Sequence, residues 1–138
     1  MTTKEWGERN MGGQPQRERI IQFARDAYGT EPERLWACFP NYEVLRHPVS
    51  RKWYAIIMDI PKSKLGLAGE GSADVLDIKS DPVMVGSLLS GKGFLPAYHM
   101  NKDTWVSVLL DESLTDEAIR PLLDMSYDSV APKRRKRL

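Results

Sequence analysis

The chain has 138 residues, a length that suits one domain built on a single hydrophobic core. Apolar residues make up 41% and charged residues 28%, with a net charge of +1, which excludes a disordered or fibrous chain. No apolar run approaches the roughly 20 residues needed to span a bilayer. The opening stretch MTTKEWGERNMGGQPQ has no apolar h-region of a secretory signal. The single cysteine, Cys38, excludes an internal disulfide, so the expected location is the cytoplasm.

Residues 1–15 are polar and carry Gly12, Gly13 and Pro15; they read as a disordered leader. QRERIIQFARDAYG then predicts a first amphipathic helix, with Ile20, Phe23, Ala24 and Ala27 at helical spacing and Gly29 as its stop. Four strands follow: RLWACF, YEVLRH, KWYAIIMDI and ADVLDIKS, with a glycine-rich loop, KSKLGLAGEGS, before the last. Short turns between them imply an antiparallel meander. DPVMVGSLLSG predicts a short second helix, capped by Asp81 with Pro82 at its first position and closed by Gly91. Val83, Val85, Leu88 and Leu89 would face the sheet.

FLPAYHM is the next strand, and Pro96 inside it predicts an edge position or a bulge. NKD makes the turn, with Asn101 and Lys102 at the tip, and TWVSVLLD is the return strand. LTDEAIRPLLDMSYDSV predicts a last helix capped by Thr115, with Ile119, Leu122, Leu123, Ser126 and Val130 inward. Pro121 in its interior removes one backbone bond. The order α-β-β-β-β-α-β-β-α describes an α+β two-layer sandwich, an antiparallel sheet with helices on one face. The domain covers residues 16–131, and residues 132–138 form a basic tail.

That tail, PKRRKRL, holds Lys133, Arg134, Arg135, Lys136 and Arg137. The chain's +1 less these five charges leaves residues 1–132 at −4. An acidic body repels nucleic acid unless its positive charge is clustered on one face.

Several tempting motifs fail. GSLLSGKG resembles a phosphate loop, but Gly93 replaces the Mg²⁺-binding hydroxyl, and the helix precedes the motif instead of following it. GEGSAD lacks the third glycine of a dinucleotide site. His47 and His99 have no Cys, Asp or Glu at metal spacing, so no metal or cofactor is expected. His47, before Pro48, reads as a solvated turn residue. Cys38 reads as a small apolar strand residue. Ser126 on an apolar stripe reads as structural, and no nucleophile–base pair is visible, so no enzymatic activity is expected.

GFLPAYHMNKDTWVSVLLD, followed by SYDSV, resembles the MmcQ/YjbR-like family of small bacterial proteins. The pattern is carried by Pro96, Tyr98, His99, Asn101, Lys102, Trp105, Ser126 and Tyr127, with Lys79 ahead of the second helix. KWYAIIMDIPKSKLGL and VLDIKSDP add to the likeness, which spans about residues 17–131; Pro121 departs from the family's usual polar residue. The resemblance implies a two-layer α+β fold similar to type III secretion chaperones and the CyaY-like group. It also implies DNA binding through a double-wing arrangement.

Three functions follow. The first is a nucleic-acid-binding module: Lys102 meets a phosphate, Asn101 and His99 add hydrogen bonds, Tyr98 or Trp105 stacks on an unpaired base, and Lys79 and Lys92 lie nearby. Both aromatics serve equally well to pack a sheet face. The second is an adaptor whose open sheet edge takes a protein partner, or a weak homodimer. The third is a small-ligand binder in which His99, Lys79, Ser126 and Tyr127 converge on one cleft.

Overall fold

The computed structural model describes residues 13–133; residues 1–12 of the leader and 134–138 of the tail lie outside the described residues. Helix α1 (Gln16–Tyr28) is followed by β1 (Glu43–Arg46), β2 (Trp53–Pro61), a 3₁₀ turn (Lys62–Leu65) and β3 (Ser72–Lys79). Then come α2 (Pro82–Leu89), β4 (Phe94–Pro96), β5 (Trp105–Leu109) and α3 (Asp116–Ser129). Strand order is β1-β2-β3-β5-β4, antiparallel throughout.

Local chemistry explains the boundaries. Gly29 at φ 66° ends α1, with its own N–H on Arg25 O and that of Thr30 on Ala24 O, as a left-handed cap requires. Asp81 caps α2 by accepting from Met84 N at 2.9 Å, and Thr115 caps α3 by accepting from Ala118 N at 3.1 Å. Helix α3 runs on through Pro121, which is exposed. Pro96 lies in edge strand β4, where its missing N–H costs the ladder nothing.

Three expectations need correction. RLWACF forms no strand: only Glu33 just before it bridges Val44, and the segment then folds over the sheet. Pro32 and Pro40 bracket the run, and a short apolar stretch can bury itself against a sheet face without joining the ladder. Cys38 is consequently exposed. The strand expected over FLPAYHM stops at Pro96, and residues 97–104 form an eight-residue connection. Helix α2 is capped at Ser90, not Gly91, and turns Val83 outward at 84% exposure while burying Val85.

The sheet has two dissimilar faces. One carries Ala55, Ile57, Leu76, Ile78, Val106 and Val108 against the α1 and α3 stripes of Ile20, Ile21, Ala24, Ile119 and Leu123. The other carries Val44, Ile56, Met58, Val75 and Leu109 and has no helix over it. Loop residues cover it instead: Trp36 and Tyr42 from one side, Leu65 and Leu67 below, Tyr98 and Met100 from the other.

A single hydroxyl docks α3 on the sheet. Ser126 is fully buried; its Oγ donates to Tyr54 O at 2.5 Å and accepts from Lys79 N at 2.8 Å. It thereby satisfies groups at the ends of β2 and β3 that would otherwise be stranded in the core. Ser126→Ala is expected to lower the unfolding free energy by about 1–3 kcal/mol, because both backbone groups lose their partner. Urea denaturation followed by circular dichroism measures it, and an unchanged midpoint would remove the hydroxyl's structural role.

Candidate nucleic-acid interface

The antiparallel register brings one set of turns to one end of the sheet. Arg46 pairs with Trp53, Ala55 with Ile78, Lys79 with Trp105, and Pro96 with Val106. The β1–β2 turn (47–52), the β3–α2 junction and the 97–104 connection therefore share that end.

The β1–β2 turn is built on His47. The imidazole is buried at 5% exposure, and its Nδ1 accepts from Val49 N at 3.1 Å and Ser50 N at 3.3 Å. His47 is thus a scaffold of the turn, not the solvated residue the sequence suggested. The turn closes with His47 N on Lys52 O, and Arg51 adopts φ 64°. Arg51 and Lys52 are exposed as a result. Glu33 lies 3.7 Å from Arg51 and 2.9 Å from Arg46, whereas Lys52 and Lys79 make no ion pair with a described residue. Helix α3 ends at the same turn, so Lys133 shares a surface hollow with Lys52 and Val49.

The 97–104 connection is pinned by a polar relay. Ser107 Oγ donates to Asp77 Oδ1 and accepts from Tyr98 N at 3.0 Å. Lys102 Nζ donates back to Ala97 O at 3.1 Å, and Asn101 Oδ1 accepts from Asp103 N at 2.8 Å. Asp77 is fully buried, and its Oδ2 has no hydrogen-bond partner among the described residues. Burial pushes its carboxyl up to about 7, against the opposing Ser107 hydrogen bond and Lys102 charge.

Between this connection and the 34–42 segment lies a hollow of about 230 Å³ on the helix-free face. Trp36 stands nearly perpendicular to both Tyr42 (78°) and Trp53 (87°), and Phe39 stacks on Tyr42 at 4.6 Å. His99 and Met100 close the opposite side over a floor of Ile56 and Met58. His99 holds φ 65°, a left-handed conformation uncommon for a residue with a Cβ.

A family model described as YjbR matches residues 25–129. The chain belongs to the YjbR family. The protein YyaQ of Bacillus subtilis (strain 168), itself described as uncharacterised, is 39% identical over 111 residues, covering 80% of this chain and 94% of that protein. A crystal structure of a Pseudomonas syringae protein is 43% identical with a TM-score of 0.81, over 83% of this chain and 98% of that one. A solution structure from Pseudomonas syringae gives 40% and 0.78, over 88% and 97%. A Deinococcus radiodurans protein at 21% identity and TM-score 0.59 shares the fold.

The YjbR motif residues separate on this frame. Tyr98, His99, Asn101 and Lys102 lie together on one connection, with Lys79 and Trp105 beside it across the β3–β5 register. Trp105 is buried at 8% exposure, so its ring packs the protein and presents no open stacking face. Lys92 does not join them: Gly93 O accepts from Leu109 N, which puts Lys92 at the far end of β5, about 13 Å away along the strand. Ser126 docks α3 under the helix face, and Tyr127 is sandwiched between Tyr28 (4.2 Å) and His47 (4.4 Å). His99 lines the opposite face, so the cleft of His99, Lys79, Ser126 and Tyr127 does not form. Among the described residues no cluster of His, Cys, Asp or Glu is placed to hold a metal ion, and no helix is long and apolar enough to cross a membrane.

Sequence reasoning missed Trp36, Phe39, Tyr42, Trp53, Arg51 and Lys52. The available signal was aromatic density, since two of the chain's four tryptophans fall within residues 36–53.

The native state holds the Asp77 proton more tightly than the unfolded chain does. Stability from this group is therefore present below the ordinary value of 3.8 and is lost as pH rises to about 7. Asp77→Asn is expected to raise the unfolding free energy by about 1–3 kcal/mol at pH 8 and little at pH 4.5. Urea unfolding at both pH values checks it; a variant equally destabilised at both would show that the charge is well accommodated.

Proposed function

We propose that this protein binds nucleic acid through the turn end of its sheet. The supporting observation is a group of cations at that end, interspersed with Glu33, Asp81, Asp103 and Asp128. Arg51, Lys52, Lys79 and Lys133 gather at that end, and the sequence continues from Lys133 into Arg134–Arg137. At the other end four acids are engaged by two arginines. Arg17 binds Asp74 at 2.9 Å and Glu43 at 3.3 Å, and Arg19 binds Asp116 at 2.8 Å and Glu112 at 2.5 Å. Within an acidic total of −4 for residues 1–132, Lys52 and Lys79 make no ion pair with a described residue, so their charge is available to a phosphate backbone.

The roles differ from a hairpin-tip reader. Arg51 and Lys52 are the exposed cations of the β1–β2 turn and meet phosphates. Lys102 serves first as a staple of its own connection. Strand addition by a protein partner has less support: Glu33 bridges the outer edge of β1, and edge strand β4 is three residues long and includes Pro96.

The test uses fluorescence anisotropy with labelled oligonucleotides across a salt series, on the full chain and on a chain ending at Pro132. The shortened chain should retain salt-sensitive binding. Arg51→Glu with Lys52→Glu should weaken it at least tenfold and reduce the log–log salt slope by about 1.4–1.8, as two lost phosphate contacts require. Binding that vanishes with the tail, or ignores the charge reversal, would overturn the proposal.

A further inference from the structure

The aromatic hollow lies beside the cationic turn, and its construction specifies what fits. Its volume of about 230 Å³ is below the ~300–1,000 Å³ of sites for drug-sized molecules, so it suits one planar ring system. Trp36 and Trp53, both half-buried, set their rings at right angles (87°), and Phe39 is 45% exposed at the rim, backed by the buried Tyr42 ring on which it stacks. A flat guest can lie on one face while its edge meets another, the arrangement aromatic rings themselves prefer.

Charge selects between the two guests that aromatic boxes take. A quaternary ammonium ion wants rings and a negative surround. Here no acid lines the hollow. Lys52, which makes no ion pair with a described residue, immediately precedes the Trp53 wall, and the Arg46 guanidinium, paired with Glu33 at 2.9 Å, sits 5.9 Å from the Trp53 ring centroid. Asp59 lies outside the lining and accepts from Asn41 Nδ2 at 3.0 Å. The surround therefore favours a planar group carried on an anion.

A second observation concerns His99, one of three non-glycine residues with positive φ among the described residues, with Arg51 and Glu112. His99 reaches the hollow from a left-handed backbone position, which costs a residue with a side chain on the order of 1–3 kcal/mol. The relay through Ser107, Tyr98 and Lys102 holds the connection in that conformation. Such strain persists where the surrounding structure enforces it, characteristically at binding sites.

We infer that the hollow bounded by Trp36, Phe39, Tyr42, Trp53 and His99 receives one unpaired nucleobase, making the protein a single-strand binder. This rests on the nucleic-acid reading above and adds its substrate class. A paired base is stacked on both sides within its duplex and cannot enter, so the hollow discriminates strands while the cationic turn holds the backbone.

The experiment compares a 20-nucleotide thymidine homopolymer, an abasic strand of equal length and a 20-base-pair duplex, by anisotropy and by quenching of tryptophan fluorescence. The wild-type protein should bind the homopolymer about tenfold or more tighter than the abasic strand, with quenching. Phe39→Ala, a half-exposed position, should weaken homopolymer binding about tenfold and leave duplex and abasic affinities within about twofold. Trp36→Leu should do the same, with unfolding midpoints recorded for both variants. If both substitutions leave homopolymer binding intact while the Arg51/Lys52 reversal still abolishes it, the hollow is no base site and the charge reading stands alone. If the wild-type protein binds none of the three, both readings fall. Competition by millimolar choline, with quenching, would show that the hollow takes a cation and would overturn the inference.

Discussion

Opposite Arg46 the β1–β2 ladder carries one residue too many. Leu45 pairs with Ala55, but Arg46 pairs with Trp53, leaving Tyr54 as a bulge. Regular pleating would put Trp53 on the helix face with Ala55 and Ile57, and Tyr54 on the other with Ile56 and Met58. The bulge exchanges them. Tyr54 turns under the helices, where it meets Tyr28 and Tyr127 edge-on, its hydroxyl donates to Thr30 Oγ at 2.8 Å, and its carbonyl takes the Ser126 hydroxyl. Trp53 turns to the helix-free face and becomes a wall of the aromatic hollow. The docking of α3 and the shape of the candidate site thus both follow from one inserted residue.

Several acids are neutralised at the opposite end of the same sheet. The end opposite the bulge is where α1 begins, and its first turn sends Gln16, Arg17 and Arg19 into the sheet ends and the segment before α3. Gln16 Nε2 donates to Leu114 O at 2.8 Å, and its Oε1 accepts from Glu112 N at 3.1 Å. The Arg19 hydrogen bond holds the Asp116 carboxyl below its ordinary value. These half-buried acids are structural partners, and their field is largely met by the arginines they hold. Net charge counted along the sequence misses this, because it weighs a paired acid at one end equally with an exposed lysine at the other.

Much of the fold was legible. Asp81 with Pro82 and Thr115 with its acidic first turn announce helix starts whatever the tertiary context, since a cap is a local interaction. Pro96 announced an edge. RLWACF was misread because strand composition reports only that a segment is apolar, and a loop laid across a sheet face has the same need. The site was less legible for a related reason. Asn101, Lys102, Ser126 and Tyr127 stand out as a motif, yet each makes a contact that builds the scaffold: a turn, a staple, a helix dock and a ring sandwich. The residues with open faces, Phe39 and Lys52 among them, belong to no motif, because their significance comes from segments about fifty residues apart meeting on one face.

Asp77 shows what the loop-covered face tolerates and why. A carboxylate with one unpartnered oxygen in a sheet interior is expensive, and desolvation outweighs the Ser107 hydrogen bond and the Lys102 charge, since the net shift is upward. Yet Asp77 orients the Ser107 hydroxyl: by accepting its proton it leaves the oxygen lone pairs for Tyr98 N. With an apolar side chain at 77, the hydroxyl would be free to rotate and Tyr98 N would lose a fixed acceptor. The connection would then lack the anchor that holds His99 in its left-handed geometry. The cost of burying the acid is thus coupled to the position of the side chain next to the anchor, His99, on the rim of the hollow.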